Sequence, residues 1–152
     1  MAETRTQPPA MNSFMKAAMN AQVWMLRRGL MGSLGDQIMV ITVTGRKSGR
    51  QYSTPIGFLR DGETIIALSR GSNWFKNAVA TGNARVEIKG VTTQVSVEPV
   101  KDQAERERIF NSYKQRRANT FPRLFGVPAD ASEADLKSAL ATRDFVKLHP
   151  VN

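Results

Sequence analysis

The fold is decided by residues 37–69, which run Gln37-Ile-Met-Val-Ile-Thr-Val-Thr44, Gly45-Arg-Lys-Ser-Gly-Arg50, Gln51-Tyr-Ser-Thr-Pro-Ile-Gly-Phe-Leu-Arg-Asp61 and Gly62-Glu-Thr-Ile-Ile-Ala-Leu-Ser69. Segments rich in β-branched and apolar residues predict strands over residues 37–44, 52–60 and 63–69. Asp61-Gly62 between the second and third is a strong hairpin signal. Connections this short cannot hold a parallel crossover, so the sheet is predicted to be antiparallel.

The rest of the chain adds strands and separate helices. Alternation of apolar and polar residues predicts two more strands, 84–89 and 91–97, and a sixth over 143–148. Helices are predicted over residues 73–81, 101–117 and 132–142, with a loop over residues 122–128. Ser72 is the predicted cap of the first helix, and Gly82 its predicted end. The predicted class is mainly β (α+β): an antiparallel split β-barrel of about six strands with peripheral helices and an N-terminal amphipathic helix.

The N-terminal segment has its own pattern. Residues 1–10 are polar, end near Pro8-Pro9 and predict a flexible tail, which leaves residues 11–152 as a single cofactor-binding domain. An apolar stripe predicts a helix over residues 11–30, with Phe14 and Trp24 beside it. The stripe suits packing on the barrel or at a homodimer interface. Its basic residues also suit peripheral contact with an anionic membrane.

Composition excludes several classes of site. The chain has 152 residues, no cysteine and one histidine, so disulfides, thiolate metal sites and multi-histidine sites are excluded and no metal is expected. The absence of cysteine fits a cytoplasmic location, with membrane association as the alternative. A net charge of +9 allows nucleic acid, anionic lipid or a polyanionic small molecule as partner. No nucleic-acid-binding motif supports the first of these.

The basic turn at residues 45–50 is the most informative candidate site. Two glycines flank Arg46, Lys47 and Ser48, and glycine lets successive N–H groups point into one concavity. Charge and a hydroxyl at the same place favour anion binding over a solvated hairpin tip. The phosphate-binding loop spacing of nucleotide-binding proteins is absent.

Two neighbouring segments suit a planar ligand. Ser53, Pro55 and Gly57 give the second strand one small face, against which a flat ring could lie, although an empty bulged edge would look the same. Residues 69–74 lead from a strand into a helix whose first N–H groups are unpaired, and Trp74 either walls a ligand or anchors the helix. The helix over residues 101–117 mixes both charges, which is typical of a solvated face.

Together these blocks resemble the deazaflavin-dependent nitroreductase family, within the split-barrel flavin and deazaflavin oxidoreductases. The resemblance covers roughly residues 37–98. It rests on residues 42–50 and 52–55, on the Arg60-Asp61-Gly62 turn, and on Asn73-Trp74-Phe75-Lys76-Asn77 and Gly82-Asn83-Ala84-Arg85-Val86. One departure is Gly57, where the family often has tyrosine or another bulky residue.

The resemblance implies an oxidoreductase that transfers a hydride from a reduced 8-hydroxy-5-deazaflavin coenzyme, which has a phosphate and a polyglutamate tail, to an acceptor. The acceptor would be a small molecule such as a quinone, a nitroaromatic or an activated double bond. Tyr113 is a candidate for substrate contact, and no catalytic residue is otherwise identified. The implied coenzyme-binding residues are Arg46, Lys47, Ser48, Gly49, Tyr52, Thr54, Pro55, Ser69, Arg70, Trp74 and Asn77. The alternatives are a flavin mononucleotide (FMN) enzyme and a non-enzymatic protein that binds a cofactor or lipid.

Overall fold

The computed structural model describes residues 36–151 together with Asn20 and Val23. The strands are β1 (Ile38–Thr44), β2 (Gln51–Gly57), β3 (Leu59–Asp61), β4 (Thr64–Ser69), β5 (Asn83–Ile88), β6 (Val91–Pro99) and β7 (Asp144–Pro150). The helices are α1 (Asn73–Thr81), α2 (Gln103–Arg116), α3 (Phe121–Phe125) and α4 (Glu133–Ala141). The strands form one antiparallel sheet in the order β2-β1-β5-β6-β7-β4-β3.

The predicted antiparallel split barrel is confirmed, with seven strands in the described residues instead of about six. The additional strand arises because the predicted strand over residues 52–60 breaks at Phe58, whose N–H donates to the Gln37 carbonyl at 2.9 Å. Before the break β2 pairs with β1, and after it β3 pairs with β4. One chain segment therefore forms both ends of the strand order. Contacts between β2 and β4 complete a curled half-barrel.

Two hydrophobic cores lie on opposite faces of the sheet. Alternate residues of β1, Met39, Ile41 and Val43, fill the barrel interior with residues from β4, β5, β6, β7 and α1. On the outer face of β4 and β7, helices α2, α3 and α4 cover a second core. That core contains an aromatic cluster, which consists of Phe110, Tyr113, Phe121, Phe125 and Phe145.

The helix ends agree with the sequence in part. Gly82 ends α1 in the left-handed region at φ 78°, and its N–H donates to the Ala78 carbonyl at 2.8 Å, as the sequence predicts. Ser72 lies at the N-cap but does not cap with its side chain, because its hydroxyl bonds Ser69 Oγ at 2.6 Å. The predicted loop over residues 122–128 is wrong at its start. Burial of Phe121 and Phe125 folds that part into α3.

The charged helix is less solvated than its composition suggests. Arg106 donates to the Leu140 and Arg143 carbonyls at 2.8 and 2.9 Å, where α4 ends. Arg117, just after α2, donates to the Phe58 carbonyl at 3.0 Å. The expectation of a solvated face is therefore wrong for these two arginines. Both fix α2 to other parts of the fold through main-chain oxygens.

The predicted tail of residues 1–10 and the predicted helix of residues 11–30 lie outside the described residues, apart from Asn20 and Val23. The predicted membrane or homodimer contact of that helix therefore stays a prediction. Among the described residues, no helix has the length and apolar character needed to cross a membrane.

An ion cluster at Glu105 connects α2 to the sheet and should make stability depend on pH. Glu105 lies 2.6 Å from both Arg108 and Lys147, and the hydrogen bond from Arg108, followed by that from Lys147, lowers the pKa of this carboxyl to about 2. A depressed carboxyl pKa stabilises the fold above its ordinary value of 4.5, and this contribution is lost as the pH falls toward 2.

Glu105→Gln is therefore expected to lower the free energy of unfolding by about 1 kcal/mol at neutral pH, since the cluster is partly solvated. The difference from the parent protein should disappear as the pH approaches 2. Urea denaturation at a series of pH values measures it. Glu107→Gln is the control, because Glu107 is exposed and its partner is the neutral amide of Gln103. A Glu105→Gln deficit that stays constant with pH would contradict this account.

Candidate functional site

A cavity of about 530 Å³ lies between the β1–β2 turn, β2 and the first turns of α1. We call it the basic cavity. Its lining consists of residues 45–48 of the turn, Tyr52 and Thr54 of β2, and residues 72–74 and Asn77 at α1. The hairpin brings the turn and β2 together, and the barrel places α1 across them.

The β1–β2 turn is held by its own hydrogen bonds and by α1. The Gly45 N–H donates to the Arg50 carbonyl at 2.7 Å, and the Gly49 N–H donates to the Gly45 carbonyl at 3.0 Å. Buried Asn77 accepts with Oδ1 from the Arg46 N–H at 3.0 Å and from Arg46 Nη1 at 2.6 Å. The position of the turn relative to α1 thus depends on one amide side chain.

The predicted nest of successive free N–H groups is smaller than expected. The N–H groups of Gly45, Arg46, Gly49 and Arg50 all have partners inside the turn or in Asn77 and Ser48. Those of Lys47 and Ser48 make no hydrogen bond within the described part of the chain and remain able to donate to an anion. The fold uses most turn amides to fix the turn itself, which a sequence pattern cannot reveal.

Hydroxyl groups form one wall of the basic cavity. Ser48 Oγ and the Tyr52 hydroxyl lie 3.1 Å apart, and Ser48 Oγ also accepts from the Arg50 N–H at 3.1 Å. Gly45 leaves space for this pair, since a Cβ there would lie 2.7 Å from Ser48 Oγ and 2.8 Å from Tyr52 Cε2. The Tyr52 ring is 48% exposed, so an entering molecule can reach it.

Trp74 also lines the basic cavity, and it has both of the roles predicted for it. Its ring packs edge-on against Phe75, with centroids 6.0 Å apart, and contacts the barrel core. The indole therefore anchors α1 and presents an aromatic surface to a planar ligand.

The charge of the basic cavity is positive. Arg46 and Lys47 line it, and none of its described lining residues is acidic. The Arg46 guanidinium donates to the neutral Asn77 amide, and no carboxylate of the described residues forms a salt bridge with it. Such a cavity attracts an anionic ligand.

The structure brings most of the predicted binding residues together. Arg46, Lys47, Ser48, Tyr52, Thr54, Trp74 and Asn77 line the basic cavity. Gly49, Pro55, Ser69 and Arg70 do not. Ser69 instead accepts from the Ser72 N–H at 3.0 Å and orders the chain before α1.

The face of β2 that lines the basic cavity is not the small face on which a ring was expected to lie. Tyr52 and Thr54 point to the cavity, whereas Ser53 Oγ lies 2.8 Å from Thr42 Oγ1. Ser72 and Asn73 also line the basic cavity but are not among the predicted binding residues. Their position at the first turn of a helix was the available signal.

A second cavity of about 280 Å³ lies where β2 breaks into β3. We call it the break cavity. Its lining consists of residues 37–38, residues 56–58, Leu68, Tyr113 in the last turn of α2, Arg117 and Thr120 after α2, and Arg123 and Leu124 of α3. Of the described residues that line the break cavity, only Tyr113 is a predicted site residue. Residues far apart in the chain meet here through the second core, so no local pattern marks them.

Tyr113 and Arg117 give the break cavity its polar part. Tyr113 is 2% exposed, and its hydroxyl is buried without a hydrogen-bond partner in the described residues. Burial raises the pKa of this phenol, so it stays protonated and able to donate. Burial also lowers the pKa of Arg117, with the neighbouring Arg116 charge adding to the effect.

Comparison with solved structures shows the fold. A candidate pyridoxamine 5′-phosphate oxidase from Listeria innocua superposes with a TM-score of 0.55 at 13% identity, over 89% of this chain and 94% of that one. A candidate 5-nitroimidazole antibiotic resistance protein from Bacteroides thetaiotaomicron gives 0.58 at 11% identity, over 87% and 80%. The haem storage protein HutZ from Vibrio cholerae gives 0.57 at 9% identity, over 88% and 91%. At these identities the likeness extends to architecture alone.

Comparison with protein families goes further. The profile of the F420H(2)-dependent quinone reductase family matches residues 17–123, which is more than half of the chain. The match includes the basic turn, β2 and α1, and therefore every residue that lines the basic cavity. The chain belongs to the F420H(2)-dependent quinone reductase family, a family of deazaflavin-dependent oxidoreductases.

Proposed function

We propose that this protein transfers a hydride from a reduced F420-type deazaflavin coenzyme to a quinone or a similar electrophilic acceptor. The observation that carries the proposal is the basic cavity, which combines hydroxyl groups and an indole with two cations that form no salt bridge with a described carboxylate. A phosphorylated coenzyme with an acidic tail and a flat ring needs these features. Family membership implies the same coenzyme.

The residues of the basic cavity fit the coenzyme by chemistry. Arg46 and Lys47 would hold its anionic part, with Ser48 Oγ and the free N–H groups of Lys47 and Ser48 as further donors. Thr54 and Trp74 would border the ring. The absence of a side chain at Gly45 lets Ser48 and Tyr52 pack against the turn and form the hydroxyl wall.

The protein contributes position and electrostatics to the reaction, whereas the coenzyme supplies the hydride when it is bound. Strand β2 lines the basic cavity with Tyr52 and Thr54 and the break cavity with Ile56 and Gly57. A donor and an acceptor bound in the two cavities would share this strand. Tyr113 can donate a hydrogen bond to an acceptor oxygen that becomes more basic as the hydride arrives. Apolar neighbours such as Phe58 and Leu68 limit water there.

Asn77 accepts hydrogen bonds from Arg46 and also lines the basic cavity, and Asn77→Asp is expected to separate these two roles. A carboxylate has the same shape and still accepts from Arg46, so the turn should stay in place. It also adds a negative charge to the cavity, and coenzyme binding should weaken by about tenfold, since about 1.4 kcal/mol of repulsion is typical near a protein surface. Fluorescence titration of the coenzyme measures the effect. Asn111→Asp, which adds the same charge on the exposed side of α2, is the control. Unchanged binding in Asn77→Asp would contradict the assignment.

Turnover with a quinone tests the proposal directly. The full chain is mixed with chemically reduced coenzyme and 2-methyl-1,4-naphthoquinone, and the absorbance of the oxidised coenzyme is followed. Protein-dependent oxidation is expected. Tight coenzyme binding without hydride transfer to quinones or other electrophiles would instead favour a non-enzymatic carrier. Turnover with FMN in place of the deazaflavin would assign the protein to the flavin enzymes.

A further inference from the structure

The break cavity combines apolar walls with positive charge. Hydride transfer to a quinone accounts for the apolar walls but gives the positive charge no role. Ile38, Ile56 and Leu124 are among its apolar contacts. Arg117 and Arg123 enter the same lining, which contains no acidic residue among those described. A neutral quinone needs hydrogen-bond donors but not two cations.

Arg117 is a partly desolvated cation that forms no salt bridge with a described carboxylate; Asp36 acts on it only as a minor electrostatic influence and is itself paired with Lys89. Its Nη2 donates to the Phe58 carbonyl at 3.0 Å and its Nη1 to the Arg116 carbonyl at 3.1 Å, and both acceptors are neutral. No carboxylate of the described chain forms a salt bridge with Arg117 or Arg123. Half-buried arginine is normally paired, because desolvation of a charge is costly. An anion in the cavity would supply the missing partner.

The Tyr113 hydroxyl is the second unpartnered group in this lining. It is buried, has no hydrogen-bond partner in the described residues and lies in the last turn of α2, one helical turn before Arg117. A buried hydroxyl without a partner is rare in proteins, and a ligand oxygen is one explanation for it. Tyr113 and Arg117 could thus donate to one oxygen-rich group.

The apolar part of the ligand has room at Gly57. Among the described residues, a Cβ at this position would meet the Gln37 carbonyl alone, at 3.6 Å, which is ordinary contact. The absent side chain therefore leaves open space in the cavity between Ile56 and Phe58. A cavity of about 280 Å³ suits a ligand of about ten non-hydrogen atoms.

We propose that the break cavity binds a small carboxylate with an apolar body, its carboxylate on Arg117 and Tyr113 and its apolar part beside Gly57. The further idea that this carboxylate is the hydride acceptor rests on the proposed function, since the acceptor would then have an acid group. Binding of the carboxylate in the break cavity does not depend on the proposed function, because it involves neither coenzyme nor hydride.

Calorimetric titration of the full chain without coenzyme tests the proposal with three probes. Octanoate has both parts of the ligand, octanamide replaces the charge by a neutral group of the same shape, and acetate lacks the apolar body. Octanoate is expected to bind at least about tenfold more tightly than octanamide, and acetate should show no binding. Equal binding of octanoate and octanamide would overturn the proposal and favour neutral carbonyl acceptors. Acetate binding as tight as that of octanoate would overturn the apolar part.

Three variants, at Arg117, Tyr113 and Gly57, test whether octanoate binds in the break cavity, and a fourth, at Arg116, is the control. Arg117→Gln should weaken octanoate about tenfold, whereas Arg116→Gln, which removes the same charge from a residue outside the lining, should not. Tyr113→Phe should weaken octanoate severalfold without loss of thermal stability, because it removes a hydroxyl that has no partner. Gly57→Leu fills the cavity and should abolish octanoate binding. Octanoate binding that all three variants leave unchanged would overturn the site.

Coenzyme binding and quinone turnover distinguish a failure of this proposal from a failure of the proposed function. Gly57→Leu should still bind the deazaflavin coenzyme in the basic cavity, since Gly57 is not part of that lining. Octanoate binding without quinone turnover would refute the proposed function and leave this site intact. Quinone turnover with equal octanoate and octanamide binding would support the proposed function and refute the carboxylate site.

Discussion

Replacement of both Arg46 and Lys47 by glutamine is expected to weaken binding of the deazaflavin coenzyme by about a hundredfold at low ionic strength. Each residue offers a charge-assisted hydrogen bond, for which about 1.5 kcal/mol is a conservative contribution, and two such bonds correspond to about a hundredfold in the dissociation constant. The loss should shrink as salt is added, because screening already weakens the attraction in the parent protein. Fluorescence titration of the coenzyme at low and high salt measures both effects.

The control for this double variant removes the same charge elsewhere. Lys101 and Lys137 are exposed and line neither cavity, so Lys101→Gln combined with Lys137→Gln should bind the coenzyme like the parent protein at each salt concentration. Equal losses in both double variants would mean that net charge, not the basic cavity, attracts the coenzyme. A double variant at Arg46 and Lys47 that binds normally would remove the site assignment.

Phe125→Ala is expected to cause the largest loss of stability, about 3–5 kcal/mol in the free energy of unfolding. Phe125 is 2% exposed, and its ring centroid lies 4.6 Å from that of Phe121 and 4.8 Å from that of Phe110. Tyr113 and Phe145 also pack against it. The substitution leaves a cavity at the centre of the second core, which the surrounding rings can fill only in part. Urea denaturation measures the change.

Phe125→Leu is the matched variant for this prediction. Leucine keeps most of the buried volume, and the loss should stay below that of alanine by about 2 kcal/mol. The Phe125 ring packs edge-on against Tyr113, with centroids 5.6 Å apart. The alanine variant should therefore also lose octanoate binding, while it keeps coenzyme binding in its folded fraction. A loss of stability below about 1 kcal/mol in Phe125→Ala would show that α3 is not part of the cooperative core.

The sequence predicts those parts of the fold that depend on local pattern. Buried β1, the turn at Asp61-Gly62, and the end of α1 at Gly82 all follow from residues that are neighbours in the chain. The basic turn was identified for the same reason. Its glycines, cations and serine lie within six residues, so charge and backbone freedom are visible together.

The remaining features depend on tertiary contacts. The break at Phe58 occurs because the Gln37 carbonyl accepts its N–H and the strand changes its partner from β1 to β4. The break cavity exists because α2 packs on the outer face of the sheet and places Tyr113 and Arg117 beside it. The role of Asn77 as acceptor for the turn spans 31 residues in sequence.

The most direct test of the central claim is a competitive titration with the two cofactor types. The full chain is titrated with the deazaflavin coenzyme, whose fluorescence reports binding, in the presence and absence of FMN. The polyglutamate tail adds negative charge that FMN lacks, and Arg46 and Lys47 of the basic cavity offer positive charge to it. The account predicts that the deazaflavin coenzyme binds at least about tenfold more tightly than FMN at low salt. Equal or tighter binding of FMN would contradict it.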